Sequence, residues 1–429
     1  MDIKTLYNIY LEANDISTDS RNIKTGDLFF ALKGENFNGN KFALKALENG
    51  ASKVIVDDPD FALDERFLVV ENVLETLQDL AAYHRKQLAV PVIAIAGSNG
   101  KTTTKELMAA VLNTSYKTSF TQGNYNNEIG LPLTLLNIKQ DAELIILEMG
   151  ARKRGDIAFL CEIATPTHGL ITNIGKDHIE FFGSVENTLK ANAELFDYLK
   201  ANAGVVFVNP EHKALIEAAK EAQTIIRYGE TPGVEYPGRI ESGHPYVHFA
   251  FLIDDEWMNC ETQLVGTYNL ENLMAAVAVG HYFKVPSKKI CEAIKAYQAK
   301  NNRSQLIQFD SNTVILDAYN ANPSSMELAL KSFDEIEHPK KMLVLGDMLE
   351  LGDTSEEEHL LTILQIKQMQ VDKIILVGEE FGKLKHKVDC LHFNDYKELK
   401  DWFNLNLPQD YLILVKGSRG ISLEKVFLN

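Results

Sequence analysis

The residues best suited to chemistry are Gly97, Ser98, Asn99, Gly100, Lys101, Thr102 and Thr103, consecutive and followed by Thr104. An apolar run, 92–96, precedes them and a helical pattern, 105–112, follows. A loop in that position can cradle a nucleotide phosphate. Glycines let several backbone N–H groups converge on one phosphate, and the following helix adds its positive N-terminal end. Lys101 is spaced to neutralise the β- and γ-phosphates, and Thr102 to offer its hydroxyl to Mg²⁺. The strict pattern has a glycine five residues before its second glycine; Ile95 stands there, so this loop is a shortened variant. The plain alternative is a glycine turn between strand and helix, which leaves Gly-Lys-Thr unexplained.

Further polar residues sit where apolar runs end. Leu144–Leu147 leads into Glu148, a candidate Mg²⁺ ligand; by itself it could equally be a solvated strand end. Gly169–Thr172 leads into Asn173 and on to Asp177 and His178, and His178 has a metal or phosphate role to set against a structural one. Asp317–Pro323 and Lys416–Gly420 follow two later runs. Both could be turn and N-cap chemistry. As a pair of polar loops they suggest a face closing over a nucleotide, with Lys416 and Arg419 as cations for phosphoryl transfer.

Elements must bring these segments together. Continuous apolar runs at 92–96, 144–147, 169–172 and 205–208 alternate with helical patterns, as in βαβ units of a mostly parallel sheet. Residues 246–251 and 257–263 read as an added antiparallel pair, and 269–283 as a closing helix. The expected organisation is α/β with three domains: a small α/β unit at 1–88, a central ATPase-like unit at 89–300 and a Rossmann-like unit at 301–429. In the first, strands are expected at 28–32, 54–56 and 67–70 and a helix at 74–88; in the third, strands at 314–316, 342–345, 374–377 and 411–415.

Composition narrows the class. A net charge of −17 argues against a nucleic-acid partner. No apolar segment approaches the roughly 20 residues that span a bilayer. The N-terminus lacks the pattern of a signal peptide, and the four cysteines are scattered. A cytoplasmic monomer is the expectation.

Several ordered motifs across nearly the whole chain resemble the Mur ligases. Ser17–Arg21 and Gly26–Gly34 are similar to the module that holds the UDP end of the substrate, which implies substrate roles for Ser20 and Arg21. Gly97–Thr104 matches the family's shortened phosphate loop. Gly123–Pro132 resembles a substrate loop, implying Asn124, Asn126 and Asn127; Glu148 and His178 match metal positions. Gly266–Asn272 resembles the segment whose asparagines, here Asn269 and Asn272, contact adenine. Arg303, Asp317–Met326, Leu345–Gly352 and Lys416–Arg419 resemble the C-terminal set, implying nucleotide contacts at Arg303 and Asp317 and substrate contacts at Asn320, Asn322, Ser418 and Arg419.

The Tyr-Asn-Ala-Asn-Pro string at 319–323 points to the branch that adds D-alanyl-D-alanine to UDP-N-acetylmuramoyl-tripeptide in peptidoglycan precursor synthesis. The resemblance implies ATP, two Mg²⁺ ions and an acyl-phosphate intermediate. Asn38–Phe42 departs from the family's Asp-Gly-His-x-Phe pattern. Asn192 stands where many relatives carry a carbamylated lysine, and is expected to help hold the second metal directly or through water. The rivals are another Mur-type or folylpolyglutamate-type amide ligase, and an idle nucleotide-binding partner protein.

Overall fold

The computed structural model describes residues 1–428. Val92–Ala96, Leu144–Glu148 and His168–Ile171 are buried throughout and lie side by side in a nine-stranded sheet. From one edge, the order is Glu256–Glu261, His248–Ile253, Tyr236–Ser242, Thr224–Gly229, Val205–Val208, His168–Ile171, Val92–Ala96, Leu144–Glu148 and Thr118–Phe120. The last seven pair in parallel; the first three form an antiparallel meander.

Alternation along one strand divides the core. Ile93 and Ile95 face the helices Lys101–Leu112 and Leu270–Tyr282, while Val92, Ala94 and Ala96 face Val185–Ala201, Asp156–Ala164 and Val73–Gln87. A strand buried on both faces shows no polar period, which is why the run 92–96 is continuous.

The N-terminal residues form a four-stranded parallel sheet ordered Ile16–Ser17, Leu28–Phe30, Lys53–Val56, Phe67–Val69. The C-terminal six-stranded sheet runs Gln305–Phe309, Asn312–Asp317, Leu412–Lys416, Lys341–Gly346, Lys373–Val377, Leu391–Phe393, antiparallel only at its first pair. The fold is α/β, as expected.

Strands at 118–120, 224–229, 236–242, 305–309 and 391–393 were not foreseen. Thr224–Gly229 is partly exposed over most of its length and Gln305–Phe309 is nowhere buried, so neither carries a strong apolar signal.

Candidate active site

The phosphate loop forms between Val92–Ala96 and Lys101–Leu112. Gly97 takes φ +120°, and a Cβ there would lie 2.3 Å from Thr172 Oγ1. Gly100 takes φ +81°, and a Cβ would lie 2.5 Å from Asn272 Oδ1. Neither position admits a side chain. Lys101 Nζ folds back onto the carbonyls of Gly97 and Ser98. The neighbouring strand end braces the loop: Ser98 Oγ donates to Asp177 Oδ1 at 2.5 Å and Asn99 N to Asn173 Oδ1 at 3.0 Å.

Glu148 ends its strand beside this loop and is buried. Its Oε2 accepts from Thr102 Oγ1 at 2.8 Å and its Oε1 from Asn126 Nδ2 at 2.9 Å. Lys105 Nζ lies 3.8 Å from Oε2, and both side chains are nearly inaccessible. Burial pushes the Lys105 ammonium below its usual range, and the Glu148 charge opposes that shift. Sequence reasoning passed over Lys105, although it lies one helical turn beyond Lys101. Thr102 and Glu148 are a hard-oxygen pair against a phosphate loop. Mg²⁺ commonly takes one or two carboxylates, substrate phosphates and water, so this donor set fits it.

His178 sits in left-handed backbone, φ +48°. Its Nδ1 lies 2.6 Å from Glu350 Oε2, close enough for an ion pair but out of line for a hydrogen bond. Further contacts join this loop and the phosphate loop to the C-terminal unit. Asn322 Nδ2 donates to Asn99 Oδ1 at 2.9 Å, Lys176 N to Ser324 Oγ at 3.0 Å, and Lys176 Nζ to Glu358 Oε1 at 2.6 Å.

At the end of two adjacent C-terminal strands, Lys416 Nζ meets Asp317 Oδ2 at 2.5 Å; the two residues are register partners. The Arg303 guanidinium lies 3.7 Å from the centre of the Tyr319 ring, with that of Arg419 at 5.2 Å. Arg303 Nε is buried without a partner among the described residues. Tyr319, the first residue of the Tyr-Asn-Ala-Asn-Pro string, is thus flanked by two guanidinium groups.

One cavity of about 740 Å³ gathers most of the candidates: Ser98 to Thr103, Asn126, Glu148, His178, Asn269, Asn272, Arg303, Asp317, Asn320, Asn322 and Lys416. Others lie outside it. Arg21 is largely exposed and held by Asp19 at 2.8 Å, and Ser20 lies beside it in the N-terminal unit. Asn124 is exposed, and Asn127 Oδ1 accepts from Gly130 N at 2.9 Å, at the start of the helix Gly130–Leu136. Ser418 Oγ is taken up by Leu349 N at 2.9 Å and Ala321 O at 3.2 Å.

Asn192 is placed differently from the other candidates. It is buried outside the cavity, its Oδ1 accepts from Gly97 N at 2.7 Å, and its Nδ2 donates to Thr188 O at 2.8 Å. Its amide holds the phosphate loop to the helix Val185–Ala201. Asn269 and Asn272 are likewise committed. Thr104 Oγ1 donates to Asn272 Oδ1 at 2.9 Å, Asn272 Nδ2 to Asn269 Oδ1 at 2.9 Å, and Asn269 Nδ2 to Val265 O at 2.8 Å.

A phosphate loop, a buried carboxylate beside it and a second α/β unit docked on both define an ATP-dependent ligase architecture. Residues 12–93 match the model of the Mur ligase family catalytic domain, 95–280 the Mur ligase middle domain, and 302–419 the Mur ligase glutamate ligase domain. The chain belongs to the Mur ligase family. It is 35% identical to the UDP-N-acetylmuramoyl-tripeptide–D-alanyl-D-alanine ligase of Bacillus subtilis, over 96% of this chain and 92% of that one. It is similar to a crystal structure of MurF from Acinetobacter baumannii, with TM-score 0.87 and 30% identity, covering 99% of this chain and 97% of that one. MurF from Thermotoga maritima in complex with ADP has TM-score 0.86 and 26% identity, covering 97% and 96%.

Proposed function

We propose that this chain is the ATP-dependent ligase that joins D-alanyl-D-alanine to the terminal carboxylate of UDP-N-acetylmuramoyl-tripeptide, a step of peptidoglycan precursor synthesis. The observation that carries it is the contact between Asn322, in the Tyr-Asn-Ala-Asn-Pro loop, and Asn99 of the phosphate loop. It brings an acceptor-side motif onto the nucleotide site.

The chemistry follows from the leaving group. A carboxylate does not react with an amine at neutral pH, because oxide would have to depart. A tripeptide carboxylate oxygen attacks the γ-phosphorus of ATP, the bond to the β-phosphate oxygen breaks, and ADP leaves. The dipeptide amine then attacks the acyl carbon, losing a proton, and phosphate departs from the tetrahedral intermediate.

Lys101 and the loop N–H groups stabilise charge on the transferred phosphoryl group. Thr102 and Glu148 would hold Mg²⁺, with His178 at a second ion; when bound, Mg²⁺ supplies positive charge to the phosphate oxygens. Asn126 keeps Glu148 oriented. Arg303 and Asp317 serve the nucleotide, and Lys416, pinned by Asp317, places a cation at the edge of the transfer site. Ser20 and Arg21 serve the UDP end. Asn320, Asn322 and Arg419 serve the acceptor end, and Ser418 shapes their loop. The docked C-terminal unit excludes water that would hydrolyse the acyl phosphate.

Among the described residues no helix is long and apolar enough to cross a membrane. We place the protein in the cytoplasm as a monomer.

The test is phosphate release. It is expected only when ATP, Mg²⁺, UDP-N-acetylmuramoyl-tripeptide and D-alanyl-D-alanine are all present. Release driven instead by a folate and glutamate would overturn the reading, as would none.

A further inference from the structure

Away from the cavity, two of the four cysteines meet. Cys260 lies on the edge strand Glu256–Glu261 and Cys291 on the helix Ser287–Ala296. Along that strand Trp257, Asn259 and Glu261 are exposed, so the two-residue period turns Met258 and Cys260 towards the protein. The helix buries Ile290 and Ile294 and carries Cys291 at the margin of that buried face. The two sulfurs share one gap. Cys260 Sγ lies 3.6 Å from the carbonyl oxygen of Cys291, and Cys291 Sγ lies 3.9 Å from that of Asn259, the residue before Cys260. Neighbouring contacts fix this approach of helix to strand. Lys295 Nζ meets Glu261 Oε2 at 2.6 Å, and Gln263 Nε2 donates to Lys295 O at 2.9 Å.

The two thiols differ in a way that suits exchange chemistry. Cys260 is buried, whereas Cys291 is half-buried and within reach of a reagent in solvent. Donation from the Cys260 thiol holds that of Cys291 below its usual range, and burial opposes the shift. The same neighbour, and then burial, push Cys260 up. The thiolate is the attacking species, so Cys291 is the entry point and Cys260 the resolving group. The other two cysteines are placed differently: the Cys161 sulfur packs on Met149 Sδ at 3.9 Å, and that of Cys390 on Lys385 O at 3.6 Å.

We infer that Cys260 and Cys291 are a redox pair that closes to an intramolecular disulfide by exchange with a small-molecule disulfide. The Cys291 thiolate attacks one sulfur of the reagent, the reagent's S–S bond breaks, and one thiolate leaves with the electron pair. Cys260, giving up its proton, then attacks Cys291 Sγ in the mixed disulfide and expels the second thiolate. The protein thiols are oxidised, the reagent is reduced to two thiols, and the protons released by the cysteines go to them. The pair stays reduced in a reducing compartment and closes when the surroundings turn oxidising. Closure ties the edge strand to a helix whose C-cap, Tyr297, donates to Glu106 Oε2 at 2.7 Å on the phosphate-loop helix Lys101–Leu112.

The test incubates the full chain with oxidised glutathione, digests it without reductant and maps the peptides by mass spectrometry. A peptide pair joined through Cys260 and Cys291 is expected, and dithiothreitol should release it. Cys260→Ser should trap the intermediate as a lasting glutathione adduct on Cys291, whereas Cys291→Ser should leave the buried Cys260 unmodified. The wild-type map alone can overturn the proposal, with no variant needing to fold. Cys260 and Cys291 both recovered as free thiols would do so, as would a lasting adduct on Cys291 without the link, or a link to Cys161 or Cys390 in its place.

Discussion

Asn192 Oδ1 accepts the backbone N–H of Gly97 at 2.7 Å, a buried bond that ties the first residue of the phosphate loop to a helix 95 positions later in the chain. The opposite edge of the same amide is anchored on Thr188 O, so its orientation is set.

Asn192→Ala strands a buried donor, at about 1–3 kcal/mol. The expected result is a lower Tm and weaker ATP binding, read by thermal melting and nucleotide titration. An amide forms no carbamate, so activity should be equal in CO₂-free buffer and with added bicarbonate. Activity that falls without CO₂ and returns with bicarbonate would contradict this.

Lys101→Ala removes the cation that faces the phosphates. We expect kcat to fall by roughly 10³-fold, by analogy with other lost electrostatic donors, with an unchanged circular dichroism spectrum. A variant keeping about a tenth of wild-type turnover or more would remove Lys101 from the mechanism.

Lys105 is the counter-ion of buried Glu148. Lys105→Ala leaves that carboxylate unpaired, and breaking a buried pair costs about 3–5 kcal/mol. Thermal melting should show a marked loss, whereas Lys105→Arg should retain part of the stability.

His168 supplies a pH signature. Burial lowers its pKa from 6.5 to about 4. The folded state holds the neutral ring while the unfolded chain takes up a proton, so stability falls as pH drops from 6.5 to about 4. The full effect is on the order of 3 kcal/mol. His168→Gln should flatten that part of the stability–pH curve; an unchanged slope would show that the ring does not titrate this way.

The dipeptide should outrun a single amino acid as nucleophile. Equal rates of phosphate release with D-alanine and D-alanyl-D-alanine would refute the assignment of the 319–326 and 345–352 segments to the acceptor.

The residues alone located the phosphate loop, because its chemistry is local: Gly97, Gly100, Lys101 and Thr102 lie within six consecutive positions. They located the buried parallel strands for a related reason, since a strand covered on both faces must be apolar throughout, as 92–96 and 144–147 are. Strands with mixed burial, such as 224–229 and 305–309, left no such trace. Only the tertiary structure decided which polar groups are still available. The amides of Asn192, Asn269 and Asn272 read as ligand contacts in the sequence, and folding pairs them with a backbone N–H, a hydroxyl, a carbonyl and each other. Lys105 belongs to no local motif, and its partner Glu148 lies on another element. A side-chain donor or acceptor is spent or free according to what folding brings within about 3 Å of it, and most of those neighbours are distant in sequence.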